Sequence, residues 1–318
     1  MPDVRHSITS NQVKMFKHLS NLQEIQDGHP SPVLLHFAPT NRCNRRCVHC
    51  CFSDRDRQLE IEYDLASEAV RAFGNLGVRA LEFTGGGEPT LWPHLPAMAH
   101  ELDKQGWALG MNTNALQVDG IDYSVFRWVR VALNVFDGDK QAIATFKRNV
   151  AHIRRHTKVT ACYIVPQTLG IQNLADVVEY AYAEQIPTRI APDCIQSKSA
   201  IRASIASIKE VVRGTELVFL SDFNVYLEDR PDDLCLMHAW KPFLYADGWV
   251  YDCPSLELAV ENPNDMAEEF RVCHASDVRR FYSRPLQKRE HSCSYCKYAR
   301  QNNLLADVIM EVDDCEFA

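Results

Sequence analysis

The sequence predicts an α/β fold built on a parallel sheet, either a doubly wound open sheet or a curved partial barrel, and three observations carry that prediction. Short apolar runs alternate with helical stretches from residue 33 to residue 212, and such alternation implies parallel strands joined by right-handed crossovers. Glycines and polar residues gather just after the strands, at 84–90, 112–114 and 134, where α/β folds place their ligand sites. A chain of 318 residues that is 46% hydrophobic also has enough apolar surface for one large unit with a smaller appendage.

Residues 1–31 are polar and carry one amphipathic helix over 13–25, broken by a Gly-His-Pro-Ser-Pro run at 28–32. The run Val33-Leu34-Leu35-His36-Phe37-Ala38 lies between prolines and reads as a buried strand whose end delivers the next loop. Strands follow at 79–83, 108–112, 128–134, 160–165 and 188–191, and helices at 64–76, 95–105, 139–156, 172–185 and 200–212. His36 and Tyr163 fall on strands, where a core role is as natural as a catalytic one. The chain therefore divides into an N-terminal helical extension (1–31), a strand–helix unit (32–215), a second unit (216–310) and an acidic tail (311–318).

The loop after the first strand reads Cys43-Asn-Arg-Arg-Cys47-Val-His-Cys50. Three thiolates spaced C-x3-C-x2-C can turn inward on one loop and fill three corners of an iron–sulfur cube, leaving one iron open. The alternative is zinc, although zinc thiolates usually come in C-x2-C pairs. Cys51 points the other way along the chain and is not read as a ligand. The spacing resembles the signature of the radical S-adenosylmethionine (radical SAM) superfamily, in which the open iron is chelated by the amino and carboxylate groups of S-adenosylmethionine. His49 stands where that family carries a ring-bearing residue. Gly85-Gly86-Gly87-Glu88 is similar to the family's Gly-Gly-Glu motif, which binds the amino group of the methionyl moiety; alone, such a run would be merely a turn. Asn112-Thr113-Asn114 resembles the family's Thr-Asn-Gly segment, with Ala115 in place of glycine. Ala132-Leu133-Asn134 stands where many members have Ser-Leu-Asp. The resemblance thus implies a partial (β/α)6 barrel with a [4Fe-4S] cluster on Cys43, Cys47 and Cys50. It implies S-adenosylmethionine contacts from His49, Gly85, Gly86, Gly87 and Glu88, with Asn112 and Asn134 as further cofactor contacts.

Beyond residue 215 the alternation stops. An extended segment runs over 217–226, and Asp247-Gly248 between aromatic-rich arms signals a hairpin that brings Cys253 back toward its start. Cys293-Ser-Tyr-Cys296 then opens a C-terminal helix. Cys235, Cys253, Cys293 and Cys296 suffice for a four-thiolate site, either iron–sulfur or a zinc ribbon. Cys235-x12-Gly248-x4-Cys253 with a later C-x2-C resembles the Twitch form of the SPASM and Twitch extensions of radical SAM enzymes. That resemblance implies a small C-terminal domain (hairpin plus helix) holding a second, auxiliary [4Fe-4S] cluster. Cys162, Cys194, Cys273 and Cys315 read as spare thiols.

The resemblance implies reductive cleavage of S-adenosylmethionine to a 5′-deoxyadenosyl radical, which takes a hydrogen atom from a small polar substrate such as a sugar, cyclitol, amino acid or nucleotide derivative. An external one-electron donor such as flavodoxin or ferredoxin would feed the first cluster, and the auxiliary cluster would accept an electron from the substrate radical. An epimerase variant would need a hydrogen donor, for which Cys194 is the candidate. The alternative substrate is a ribosomally made peptide; such maturases often carry an N-terminal domain of about eighty residues, whereas about thirty residues precede the first strand here. Gln167 and Asp193 lie on loops after the fifth and sixth strands, facing the expected pocket. An alternative of another class is a non-catalytic zinc protein used for interaction.

The net charge of −8 and a pI near 5.8 argue against a nucleic-acid binder, which needs clustered cations. Arg45-Arg46, Arg154-Arg155 and Arg279-Arg280 read as solvated faces, though a phosphorylated or carboxylated substrate can use such a pair. No run of eighteen apolar residues and no apolar signal core occur, which predicts a soluble cytoplasmic protein without membrane contact. Twelve cysteines in a reducing compartment call for metal ligation rather than disulfides.

Overall fold

The computed structural model describes residues 11–53, 55–166, 173–193, 195–220, 234–254, 268–291, 293 and 296–310. Cys194, Gln167, Cys315 and the acidic tail lie outside the described residues. Two short helices open the described residues, α1 (Gln12–Met15) and α2 (Leu19–Gln26), where one was predicted over 13–25. The backbone tightens between them through Lys17 N–H to Lys14 O and His18 N–H to Met15 O. That break lets Met15, Leu22 and Ile25 reach one apolar cluster, which a single straight helix of mixed polarity would not allow.

Seven strands then lie side by side in chain order, each parallel to the next: β1 (Leu35–Phe37), β2 (Ala80–Phe83), β3 (Ala108–Thr113), β4 (Phe126–Ala132), β5 (Lys158–Val165), β6 (Thr188–Pro192) and β7 (Val218–Leu220). Helices α3 (Tyr63–Asn75), α4 (Leu95–Lys104), α5 (Lys140–Ile153), α6 (Leu174–Ala183) and α7 (Lys198–Val211) make the crossovers, except between β3 and β4, where a 3-10 turn at Tyr123–Val125 suffices. Strand 128–134 was predicted two residues too far along: β4 begins at Phe126 and ends at Ala132, and Leu133–Asp137 forms a 3-10 turn.

Residues beyond 215 contribute to both edges of this sheet. β7 extends it past β6, while β9 (Phe243–Leu244) pairs with β1 in parallel and β10 (Trp249–Tyr251) and β11 (Arg271–His274) continue it antiparallel, giving ten strands. An edge strand carries a row of unsatisfied N–H and C=O groups, and at β1 the hairpin supplies partners for them, as in Ala38 N–H to Leu244 O at 2.9 Å. The hairpin turn is Tyr245–Gly248, closed by Gly248 N–H to Tyr245 O. Gly248 has φ +80°, a left-handed conformation that a side chain disfavours. β8 (Leu234–Cys235) pairs with β12 (Arg289–Glu290) in a separate ribbon, and α8 (Val278–Tyr282) and α9 (Ala299–Val308) complete the described elements.

Strand side chains alternate between faces. Phe37, Phe83, Met111, Val129 and Tyr163 join the core shared with the helices, where truncating one such side chain costs about 3–5 kcal/mol. The opposite face carries His36, Glu82, Asn112, Arg130, Cys162 and Arg189, and it lines a cavity of about 1180 Å³. No described helix is long and apolar enough to cross a membrane.

Candidate functional site

The cysteine loop leaves the C-terminal end of β1 and is fastened to the ends of the next three strands. Gly87 N–H donates to Thr40 O at 2.8 Å and Glu88 N–H to Arg42 O at 2.7 Å, so the glycine run after β2 is stitched to the start of the loop. Asn114 Nδ2, after β3, donates to Asn44 Oδ1 at 2.7 Å, and Arg45 Nη2 donates to Asn134 O, after β4, at 2.9 Å. The residues between Cys43 and Cys47 thus act as ties, while Cys43 and Cys47 line the cavity beside Gly85, Gly87 and Glu88. Cys50 turns toward an aromatic cluster of Phe52, Phe243, Tyr245, Tyr251 and Phe270, with Arg55 Nη1 at 3.5 Å from its sulfur.

The glycines have a packing reason inside the protein. A Cβ on Gly86 would lie 1.9 Å from Asn41 Oδ1, and one on Gly87 would lie 2.1 Å from Arg42 O, closer than any real contact. The carboxylate of Glu88, 2% exposed, accepts from Thr113 Oγ1 at 2.6 Å, Asn114 N at 2.7 Å, and Thr90 Oγ1 and N at 2.9 and 3.2 Å. Burial raises its pKa, and those hydrogen bonds oppose the rise without cancelling it. His49 is held neutral, its pKa pushed down to about 4 by burial against the attraction of Asp137, and its buried Nδ1 has no hydrogen-bond partner.

Asn112 Nδ2 donates to Glu82 Oε1 at 2.7 Å and Thr84 Oγ1 at 3.2 Å, so it belongs to the cavity wall. Asn134 bridges instead to β5: Nδ2 donates to Ile164 O at 2.7 Å and Oδ1 accepts from Ile164 N at 2.9 Å. Ala115 adopts φ 55°, a left-handed state that favours glycine, and Asn149 Nδ2 donates to its carbonyl at 2.9 Å. Asp193 is buried and accepts from Ile195 N and Gln196 Nε2 at 3.3 Å each.

The second cysteine group is gathered from distant segments. Cys235 ends β8, Cys253 follows β10, and Cys296 precedes α9; Cys253 and Cys296 pack against the buried cluster that contains Cys235. Cys253 and Cys293 also pack on the aromatic cluster that receives Cys50, so one set of rings separates the two groups. Asn302 of α9 grips both sides of Cys235, with Nδ2 donating to Leu234 O at 2.7 Å and Oδ1 accepting from Leu236 N at 2.8 Å.

Next to Cys235 lies a buried network that the sequence did not reveal. Asp252 accepts from His291 Nε2 at 2.8 Å and Arg289 Nε at 2.9 Å, with His238 Nδ1 at 3.3 Å. Burial opposes ionisation of Asp252, yet these partners hold its pKa down to about 2. Ligand atoms of Cys235, Asp252 and His291 lie within 4.8 Å of one another, the one such trio among the described residues. That is a single-ion spacing, but the Asp252 carboxylate is already engaged by His291 and Arg289.

Residues 37–180 match the family model of the Radical SAM superfamily. The chain is 33% identical over 253 residues to Fe-coproporphyrin III synthase of Methanosarcina barkeri, covering 73% of this chain and 60% of that one. It is 36% identical over 85 residues to the tungsten-containing aldehyde ferredoxin oxidoreductase cofactor-modifying protein of Pyrococcus furiosus, covering 25% and 23% respectively. The chain thus spans less than two thirds of these curated relatives. SuiB of Streptococcus suis bound to S-adenosylmethionine superposes with a TM-score of 0.60 at 13% identity, over 88% of this chain and 73% of SuiB. The anSMEcpe structure with bound AdoMet and the Cp18Cys peptide gives 0.56 at 13% identity, over 90% and 86%. The α/β fold with a mostly parallel sheet is the fold these structures share.

Proposed function

We propose that the protein is a radical SAM enzyme whose first [4Fe-4S] cluster is held by Cys43, Cys47 and Cys50. The observation that carries this reading is the rim itself: Cys43 and Cys47 line one cavity with the glycine run, to which backbone hydrogen bonds stitch their loop, and Cys50 follows on that same loop. When bound, such a cluster supplies one electron to the sulfonium of S-adenosylmethionine, releasing methionine and a 5′-deoxyadenosyl radical that takes a hydrogen atom from the substrate. Gly85, Gly86, Gly87 and Glu88 shape the rim where the cofactor would lie. Glu88 also fixes the loop after β3, its Oε1 accepting from Thr90 and Thr113 and its Oε2 from Asn114 N. His49 presents a neutral ring beside the third thiol.

In this reading residues 32–215 bind the cofactor and residues 216–310 carry the auxiliary [4Fe-4S] cluster on Cys235, Cys253, Cys293 and Cys296, which would accept an electron from the substrate radical. Anaerobically reconstituted protein should bind about eight irons. Cys235→Ala should lose about half of them, while Cys43→Ala, Cys47→Ala and Cys50→Ala should each abolish S-adenosylmethionine cleavage. A colourless protein holding zinc, or cleavage that survives all three substitutions, would refute the proposal. The second reading, a peptide substrate, is favoured by the shared fold of peptide-bound anSMEcpe over 90% of this chain. Formation of 5′-deoxyadenosine with peptides against small polar molecules separates the two.

A further inference from the structure

We infer that Arg55 tunes the first cluster: its guanidinium donates to the Cys50 sulfur and places positive charge there, which raises the cluster's reduction potential and lets an external donor of less negative potential deliver the electron. The inference rests on the proposed function in taking Cys43, Cys47 and Cys50 as the ligands. It concerns a cation behind the rim, apart from Arg130 and Arg189, which stand on the strands that form the cavity's floor.

The fold brings Arg55 to the sulfur by turning the chain back on itself. After Cys50 the backbone tightens through Ser53 N–H to Cys50 O at 3.0 Å, and the segment that follows runs back past the start of the loop, where Thr40 and Glu60 form an antiparallel bridge. Asn41 N–H donates to Leu59 O at 2.9 Å and Ile61 N–H to Pro39 O at 3.0 Å. Two arginines on the returning segment then meet the loop. Arg55 Nε donates to Asn41 O at 2.9 Å, and its Nη1 donates both to Phe52 O and, at 3.5 Å, to Cys50 Sγ. Arg57 Nη1 donates to Arg45 O at 3.2 Å and to Cys43 O at 3.4 Å. Both clamp backbone, but of the two only Arg55 also reaches a sulfur.

Among the described residues no carboxylate pairs with Arg55. Its side-chain partners are two carbonyls and one thiol, none of them charged, although the residue is only partly exposed. A guanidinium drawn partly out of water without a counter-charge is costly. Here the counter-charge arrives with the metal, because a cube held by thiolates is anionic and each added electron makes it more so. Arg55 therefore stabilises the reduced form more than the oxidised one; charge and hydrogen bonds to sulfur are among the quantities that set a cluster's potential. The other surroundings of Cys50 are aromatic. Phe52 stacks on Tyr245 with 5.9 Å between ring centroids, and both belong to the buried cluster on which Cys50 packs, so the charge acts through a medium poorer in water than bulk solvent.

Redox titration followed by EPR, on full-length protein reconstituted anaerobically and compared at matched iron content, tests this. The signal to follow is the one that changes when S-adenosylmethionine is added, which marks the first cluster. At the wild type's midpoint, Arg55→Gln should lower the ratio of reduced to oxidised cluster about tenfold, a shift of ~59 mV to more negative potential. Arg55→Lys should recover part of that loss. Arg57→Gln removes a backbone clamp without touching sulfur and should leave the ratio close to that of the wild type. An Arg55→Gln ratio equal to the wild type's, or an equal fall in Arg57→Gln, overturns the inference. Should Arg55→Gln lose its iron, wild-type protein carrying 15N-labelled arginine decides: pulsed EPR of the reduced cluster should show a nitrogen coupling that Arg57→Gln keeps, and its absence overturns the inference. A wild type in which no signal responds to S-adenosylmethionine sinks the proposed function and this inference with it. A responsive signal whose ratio ignores Arg55 sinks the inference alone.

Discussion

Glu82 and Glu88 are both buried, both face the same cavity and stand six positions apart in the chain, yet their acidities move in opposite directions. Burial drives each toward the neutral acid. At Glu88 the opposing donors are neutral, Thr113, Asn114 and Thr90, and burial wins, so its pKa is raised. At Glu82 burial meets charged neighbours, chiefly His36, Arg130 and Lys241, and the pKa falls to about 2. His36, whose own pKa of about 3 leaves it charged where Glu82 titrates, acts together with Arg130 and Lys241. Neutral hydrogen bonds build a rim; only full charges can overturn burial, and the floor is where they are.

The largest expected effect comes from attacking the rim's geometry. Gly87→Val places branched carbon against the Arg42 carbonyl, 2.1 Å from the Cβ position, and should cost on the order of 3 kcal/mol or more. Thermal unfolding and iron content should both fall, and a variant that retains full iron would show that the loop can shift away.

Next is the pH dependence of stability. Glu82, depressed in the fold from 4.5 to about 2, contributes stability present above pH 4.5 and lost as pH falls through about 2. That contribution is at most ~3 kcal/mol. Glu88 has the opposite sign: its raised pKa stabilises the fold below pH 4.5 and that contribution is lost as pH rises through the folded value. Denaturant unfolding across pH should therefore lose its acid limb in Glu82→Gln and lose the opposing slope in Glu88→Gln. Identical profiles for the two variants would break the distinction between rim and floor.

Smaller effects sharpen it. Thr113→Val removes the 2.6 Å hydrogen bond to Glu88, should destabilise by about 1–2 kcal/mol, and should raise Glu88 further; carboxyl stretching in the infrared reads that shift. Ala115→Gly relieves the left-handed backbone at φ 55° and should stabilise by up to ~1 kcal/mol in the same unfolding assay.

These residues were not equally visible in the sequence. The cysteine loop and glycine run are contiguous, so spacing alone exposed them, and the departure at Ala115 pointed at the position the structure shows to be left-handed. Arg130 and Arg189 were missed because each stands alone inside an apolar strand, where a charge is easily taken for a solvent-facing residue. Their signal was the alternation itself: in a parallel sheet covered on both faces, an isolated cation has no solvent side to occupy. His238, Asp252 and His291 come from three segments joined only by the fold, and no local pattern links them. Asn134 shows the reverse error, for a residue placed at a strand end by pattern is held in a turn by Ile164. The extended segment that holds β7 and the hairpin at Asp247-Gly248 were legible, but not their pairing with β6 and β1, because edge pairing depends on partners far along the chain.

Helix α9 joins two duties. Its Asn302 fastens the strand that bears Cys235, while Tyr298, Arg300 and Gln301 at its start wall the cavity where α9 meets α1 and α2. Fraying of this one helix would thus loosen the strand that bears Cys235 and unroof the chamber in the same event. Amide hydrogens of α9 and of the β8 ribbon should accordingly exchange as one cooperative unit, and whatever fills the chamber should slow both.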